Sequence, residues 1–155
     1  MSLSIVISAL VVLGCGEPEA PVEDAKPVAK KKQAPGDANV TNVFAREESD
    51  GTWTFHVTVE HADRSWYDYA NGWDVVLPDD TSILPDPFHT FTKHIRNPHV
   101  GQASFTRTQR DIVIPENTDS VRVRAHDKKG GWGGKEVVVD LNVRFGENYS
   151  VKRAL

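Results

Sequence analysis

Hydrophobic and polar residues alternate with a period of two along residues 39–155, and Gly, Pro, Asn and Asp interrupt the alternation at short intervals. A period of two places successive side chains on opposite faces of a β-strand. Four segments show the pattern most clearly, with the apolar series Trp53-Phe55-Val57-Val59, Trp73-Val75-Leu77, Val121-Val123-Ala125 and Val137-Val139-Leu141. Shorter candidates are residues 40–46, a broken segment through 82–96, 104–108 and 111–114. No window of a dozen residues has the periodicity of an amphipathic helix.

About seven short strands at this spacing predict an all-β fold, an antiparallel β-sandwich. Residues 114–139 comprise a turn, a Val/Arg strand, a Gly-rich hairpin loop and a Val-rich strand. This segment resembles the end of a fibronectin type III or related immunoglobulin-like domain, and the resemblance implies an immunoglobulin-like sandwich of about seven strands. The motifs at 61–63, 97–99, 105–107 and 124–127 also resemble a group of secreted bacterial proteins with no assigned activity. A fold resemblance alone carries no function.

Residues 1–14 form an uncharged, mostly apolar run that is too short to cross a bilayer as a helix, which needs about 20 apolar residues. The run fits the apolar region of a signal peptide, although the expected Lys or Arg before it is absent. Val12-Leu13-Gly14-Cys15 resembles the bacterial lipobox, which implies removal of residues 1–14 and acylation of Cys15. Gly16 follows the cysteine in place of Asp, which by the same resemblance favours the periplasmic face of the outer membrane or the cell surface.

Residues 15–38 are predicted to be a lipid-anchored, disordered linker, because their Pro, Glu and Lys content offers too little apolar surface to form a core. Residues 39–155 are then long enough for one domain. With the five acids and four lysines of residues 16–38 set aside, the domain carries 17 acids and 14 bases, a net charge of −3. This balance gives no basic footprint for nucleic acid. The tail 142–155 carries no pattern that assigns it a role.

Catalytic motifs are absent from the sequence: it contains neither Gly-x-Ser-x-Gly nor His-Glu-x-x-His. Gly134-Lys135 is followed by Glu136 where a phosphate-binding loop requires Ser or Thr. With its only cysteine at the predicted lipidation site, the chain also lacks a free thiol nucleophile. We therefore expect a binding module and not an enzyme.

Six histidines occur in the domain, and neutral imidazole is a common ligand for copper and zinc. Loops of a sandwich alternate between its two ends, so His61, His99 and His126 are predicted to meet at one pole and to share a copper or zinc ion. The alternation of side chains along a strand complicates this hypothesis. His61 continues a series of inward-facing residues, whereas His126 continues a series of outward-facing ones. The alternative is a separate structural role for each imidazole. His56 and His89 are predicted to be surface residues.

Aromatic residues in the same loops offer a second interpretation. Trp66, Tyr69 and Trp132, with Asp63 and Asp127, are predicted to form a surface that binds a protein or glycan. The alternative is that Trp66 and Tyr69 close the end of the sandwich core. The sequence thus predicts a lipid-anchored binding module whose ligand is a metal ion, a protein or a glycan.

Overall fold

The computed structural model describes residues 36–155, and the regular elements in this part of the chain are all β-strands. The nine strands are β1 (Asn39–Glu47), β2 (Trp53–Glu60), β3 (Ala70–Val76), β4 (Lys93–His94), β5 (Ser104–Ile112), β6 (Ser120–Asp127), β7 (Val137–Asp140), β8 (Phe145–Gly146) and β9 (Tyr149–Lys152). The predicted signal peptide, Cys15 and most of the predicted linker lie outside the described residues. Within those residues, no helix is long and apolar enough to cross a bilayer.

The strands form two sheets, with orders β5-β2-β1-β9-β8 and β4-β3-β6-β7. All pairings are antiparallel except that of β1 with β9. The first, second and fifth strands thus share one sheet, and the third, sixth and seventh share the other. The predicted all-β antiparallel sandwich is confirmed.

The core lies between the two sheets and is built from the four predicted apolar series. Trp73 and Phe55 are its largest fully buried side chains, and Leu141, just after β7, is also fully buried. Burying a large apolar side chain stabilises a fold by about 1.5–3 kcal/mol. The period-two pattern therefore identifies the face on which each sheet gains most of its stability.

The predicted broken strand at 82–96 forms only the two-residue β4. The Thr92 hydroxyl takes the place of a backbone partner, because it accepts a hydrogen bond from the Val75 amide (2.8 Å) and donates one to the Ile83 carbonyl (2.6 Å). Asp74 accepts bonds from Ser82 Oγ (2.6 Å) and the Thr92 amide (2.9 Å). Side-chain bonds thus supplement the few backbone bonds between this segment and β3, such as the one from the Ile83 amide to the Val75 carbonyl (2.8 Å).

Both ends of the described chain pack onto the sandwich, the tail in the first sheet and residues 36–38 beside the loop between β6 and β7 of the second sheet. The tail forms β8 and β9, and β9 lies parallel to β1 with Val151 buried. At the other end, Ala38 is fully buried in the core although the sequence assigned it to the linker. The Val40 amide donates to the Lys135 carbonyl (2.8 Å). Residues 36–38 therefore pack as part of the sandwich.

Candidate functional site

His61 follows the last residue of β2 and continues the inward series of that strand. It is only 4% exposed. Its Nδ1 lies 2.6 Å from Oδ1 of Asp63, two residues further on. A carboxylate can only accept, so Nδ1 carries the hydrogen and Nε2 is the atom that faces the remainder of the site.

Asp63 joins three segments of the chain. Besides the bond from His61, its Oδ1 accepts a hydrogen bond from the Ala70 amide (3.0 Å), and its Oδ2 accepts one from the His99 amide (2.6 Å). Its side chain is fully buried. The sequence grouped Asp63 with a ligand or partner surface. Its burial instead makes it the residue that fixes the orientation of the His61 ring.

The Nε2 atom of His61 faces three further carboxylates. It lies 2.9 Å from Asp37 Oδ1, 3.8 Å from Asp127 Oδ1 and 4.0 Å from Asp68 Oδ1. Asp37, His61 and Asp127 offer ligand atoms that all lie within 4.8 Å of one another, the one such group in residues 36–155. We call Asp37, His61 and Asp127 the pole site. Its donor set, one imidazole nitrogen and carboxylate oxygens, suits a divalent cation.

Local backbone structure holds the two carboxylates of the pole site. Asp127 ends β6, and its carboxylate accepts hydrogen bonds from the amides of Lys129 and Gly130, both at 2.9 Å. Asp37 is brought to His61 by a close approach of two backbones, since a Cβ on Gly36 would overlap the carbonyl oxygen of Gly131. Gly36 thus allows the segment before β1 to cross the Gly-rich hairpin loop.

His99 reaches the same region but its ring is bound elsewhere. Its Nε2 contacts Nη2 of Arg107, which can only donate, so Nε2 must accept. The ring also stacks on Phe105, with centroids 3.9 Å apart. Burial and, next, the charge of Arg107 lower the pKa of His99. His99 is therefore linked to His61 through Asp63, while its free lone pair is bound to Arg107.

His126 lies on the outer face of β6, as its parity predicts. Its Nδ1 lies 2.6 Å from Asn71 Oδ1, and its ring packs against Phe91 and Trp132 with centroids 5.0 and 4.7 Å apart. Burial lowers the pKa of His126. The structure thus does not gather His61, His99 and His126 within one coordination distance, because the β6 series places the third ring on the opposite face of its sheet.

Two of the other three histidines, both predicted to be surface residues, have separate contacts. His56 is half-buried on the outer face of β2, where it stacks on Phe44 and bonds Thr108 Oγ1 at 2.8 Å. His89 is exposed beside Asp86, with 3.3 Å between Nε2 and Oδ2.

The predicted aromatic surface divides into two parts. Trp66 is 58% exposed and Tyr67 83% exposed, whereas Tyr69 is buried, with its ring edge-on to Trp66. Lys128 Nζ donates to the Trp66 carbonyl oxygen (2.6 Å). Trp132 lies apart from this pair, on the outer face of the second sheet, where the Arg124 guanidinium stands 4.0 Å from its ring centroid.

The sequence analysis missed Asp37 and did not include Asp68 in the site. Asp37 stands in a segment whose composition indicates a linker, and only the contact of Gly36 with the distant hairpin loop brings it to His61. Asp68 lies in the same loop as Asp63, Trp66 and Tyr69, which were predicted site residues. This shared loop is the one feature of the sequence that could have indicated it.

Comparison with known proteins gives one partial relationship. A protein of Halomicrobium mukohataei described as "Putative lipoprotein" is 33% identical to this chain over 105 residues. The matched region is 67% of this chain and 47% of the relative, so the chain spans about half the length of the curated relative it matches. No protein-family model matches the chain. No solved structure matches it.

Proposed function

We propose that this chain is an exported, lipid-anchored binding module, without catalytic activity, whose pole site binds a divalent transition metal. The observation that carries the metal proposal is the environment of His61. Its Nδ1 is fixed by Asp63 at 2.6 Å, and its Nε2 faces Asp37 at 2.9 Å and Asp127 at 3.8 Å. Metal-binding histidines commonly donate their other ring N–H to a carboxylate in this way.

The short distance from Nε2 to Asp37 favours a cation at Nε2. In the neutral ring with its hydrogen on Nδ1, Nε2 presents a lone pair, and a carboxylate oxygen 2.9 Å away presents only lone pairs as well. Two lone pairs at that separation repel each other. A proton or a metal ion between His61 and Asp37 would remove this repulsion. Metal binding would replace that proton.

Zinc fits the donor set best of the two metals considered from the sequence. Zn–N and Zn–O bonds of about 2.1 Å at a tetrahedral angle separate two ligand atoms by about 3.4 Å. The distances of His61 Nε2 to Asp37 and to Asp127, 2.9 and 3.8 Å, lie on either side of that value. Asp68, at 4.0 Å, is within reach of a fourth position. Copper takes imidazole too and is the comparison metal.

Titration calorimetry on the full chain in detergent tests this proposal, with zinc and copper as the injected ions. Asp37→Asn should weaken zinc binding by about tenfold or more, since one ligand charge is lost at an exposed residue that contributes little to the core. Asp80→Asn makes the same change at a carboxylate that is 75% exposed and remote from the site, and should have no effect.

His126→Ala separates this proposal from the three-histidine hypothesis. The pole site predicts unchanged zinc affinity for His126→Ala, whereas shared coordination by His61, His99 and His126 predicts a loss as large as that of Asp37→Asn. The pole site is refuted if wild-type protein binds zinc no tighter than about 1 mM, or if Asp37→Asn and Asp80→Asn behave alike.

Two observations support the anchoring part of the proposal. Val12-Leu13-Gly14-Cys15 resembles the lipobox, and the relative that matches this chain carries lipoprotein in its description. Cys15→Ser should move the protein from the membrane fraction to the soluble fraction. Continued sedimentation with membranes in that variant would contradict lipid anchoring at Cys15. Sucrose-gradient separation of membranes tests whether the wild type resides in the outer membrane.

Exposed aromatics favour a second candidate, a protein- or glycan-binding role. Trp66 and Tyr67 are 58% and 83% exposed, and aromatic faces of this kind stack on sugars and anchor protein interfaces. Glycan-array binding that is lost in Trp66→Ala and retained in Trp132→Ala would support this role, because Trp132 lies on the other surface. Binding that is independent of both residues would contradict it.

A further inference from the structure

A cleft of about 360 Å³ opens at one edge of the sandwich, where β4 of the second sheet approaches β5 of the first. Its walls include three permanently cationic side chains, Lys93, Arg96 and Arg107, as well as Gln109. Among the described residues that line it, none is acidic. This local concentration of positive charge stands out in a chain whose net charge is −4.

Strand register shows that two of these cations occupy positions where apolar residues are expected. Arg107 pairs with Val57, and Lys93 pairs with Trp73, both fully buried core residues. Directly paired residues lie on the same face of a sheet. Arg107 and Lys93 thus project from the inner faces of two edge strands, one in each sheet, towards the open side of the sandwich.

Arg107 is held in a fixed orientation. Its Nη1 donates to the Thr106 carbonyl (2.8 Å), its Nη2 contacts His99, and its guanidinium carbon stands 5.3 Å from the centroid of the Phe105 ring. A guanidinium has five N–H donors, so these contacts leave donors free. An ordered arginine loses less entropy when it binds a ligand than a mobile surface arginine does.

The nearest carboxylates do not neutralise the cleft. Asp63 lies behind His99 and is already bound to the amides of Ala70 and His99. Asp86 pairs with His89 at the rim, 3.3 Å apart. The pKa of His94 is lowered by partial burial and then by the charges of His89 and Arg96, in agreement with an electropositive surrounding.

We propose that this cleft binds a tetrahedral oxyanion, a phosphate or sulfate group, between Lys93, Arg96 and Arg107. Such a group accepts several charge-assisted hydrogen bonds at once, and an Arg guanidinium can donate two parallel hydrogen bonds to two of its oxygens. The cleft volume falls in the range of small-ligand sites. The competing explanation is that inward-pointing charges only protect the sheet edges from pairing with other chains.

Inorganic phosphate and sulfate, titrated into the full chain in detergent at constant ionic strength with chloride as the compensating ion, test the proposal. Amide NMR shifts around residues 93–109 should saturate with a dissociation constant of about 1 mM or tighter. Arg107→Gln and Lys93→Gln should each weaken binding by about tenfold, since each removes a charge-assisted bond. Lys93 is not bound to His99, so Lys93→Gln tests the cleft even if the Arg107 variant misfolds.

Arg110→Gln is the matched control, because Arg110 lies on β5 but on the opposite face from Arg107 and is exposed. Non-saturating shifts, or equal losses in Arg110→Gln and Arg107→Gln, would overturn the proposal and leave edge protection as the role of these charges. Vesicles of phosphatidylglycerol, compared with phosphatidylcholine, identify the source of the oxyanion. Cleft-dependent vesicle binding indicates a lipid headgroup, and binding of the free ions alone indicates a soluble anion.

Discussion

Asp63→Asn is the most informative single change in the domain, because it preserves shape and removes charge at the residue that joins His61, Ala70 and His99. The carboxylate accepts three hydrogen bonds of 2.6–3.0 Å from these residues, with donors at both of its oxygens. An amide has one accepting oxygen and one donating NH₂. If the oxygen faces His61 and Ala70, the NH₂ faces the His99 amide. If the side chain is flipped, the NH₂ group faces the other two donors, His61 Nδ1 and the Ala70 amide.

Either orientation leaves at least one buried donor without an acceptor. Each such orphaned group costs about 1–3 kcal/mol, and the charge-assisted character of the remaining bonds is lost as well. We expect the free energy of unfolding to fall by about 2–4 kcal/mol. A domain of this size has a stability of about 5–15 kcal/mol, so the variant should still fold.

Urea unfolding followed by tryptophan fluorescence, with EDTA present so that no metal contributes, measures this loss. The midpoint should fall with little change in the m-value. Asp80→Asn is the control: its carboxylate is 75% exposed and 2.6 Å from Arg122, so the change should cost no more than about 1 kcal/mol. Equal losses in the two variants, or a loss below about 1 kcal/mol for Asp63→Asn, would refute the role of Asp63 as a buried junction.

Two further predictions concern pH and backbone packing. Because burial lowers the pKa of His126, the unfolded chain takes up a proton first as the pH falls through about 6.5. The urea midpoint should therefore decrease between pH 7.5 and 5.5, and His126→Gln should reduce this dependence; a midpoint that rises on acidification would contradict it. Gly36→Ala should weaken zinc binding by about tenfold, since a Cβ there overlaps Gly131 and displaces Asp37. Unchanged calorimetric affinity would contradict that positioning.

The fold could be predicted where local pattern and tertiary packing agree. The series around Phe55, Trp73 and Val123 alternate because each strand has one buried face, and a period of two is visible in the sequence. The segment 82–96 could not be predicted in the same way, because the Thr92 hydroxyl replaces a backbone partner of Val75. The strands of the tail could not be predicted either, because the parallel pairing of β9 with β1 joins segments about a hundred residues apart.

The candidate site could be predicted only in part. Loop alternation in a sandwich indicated the pole where His61 and Asp127 approach each other, with 3.8 Å between Nε2 and Oδ1. Parity correctly indicated that His126 faces outward. The sequence around Asp37 does not indicate its position, because that position depends on a contact between Gly36 and Gly131. Glycine has no side chain, so this contact leaves no hydrophobic pattern in the sequence.

The pole site draws its ligand atoms from three separate segments: Asp37 before β1, His61 after β2 and Asp127 at the end of β6. These segments are far apart in sequence, so the unfolded chain has no preformed site and a metal ion would bind the folded state in preference to it. If a metal ion binds there, it should stabilise the fold by mass action, in proportion to the logarithm of free metal over its dissociation constant. Asp37 is also the part of the site nearest to Cys15 in sequence. A metal at His61 would therefore add to the packing that already holds residues 36–38 against the loops of the sandwich.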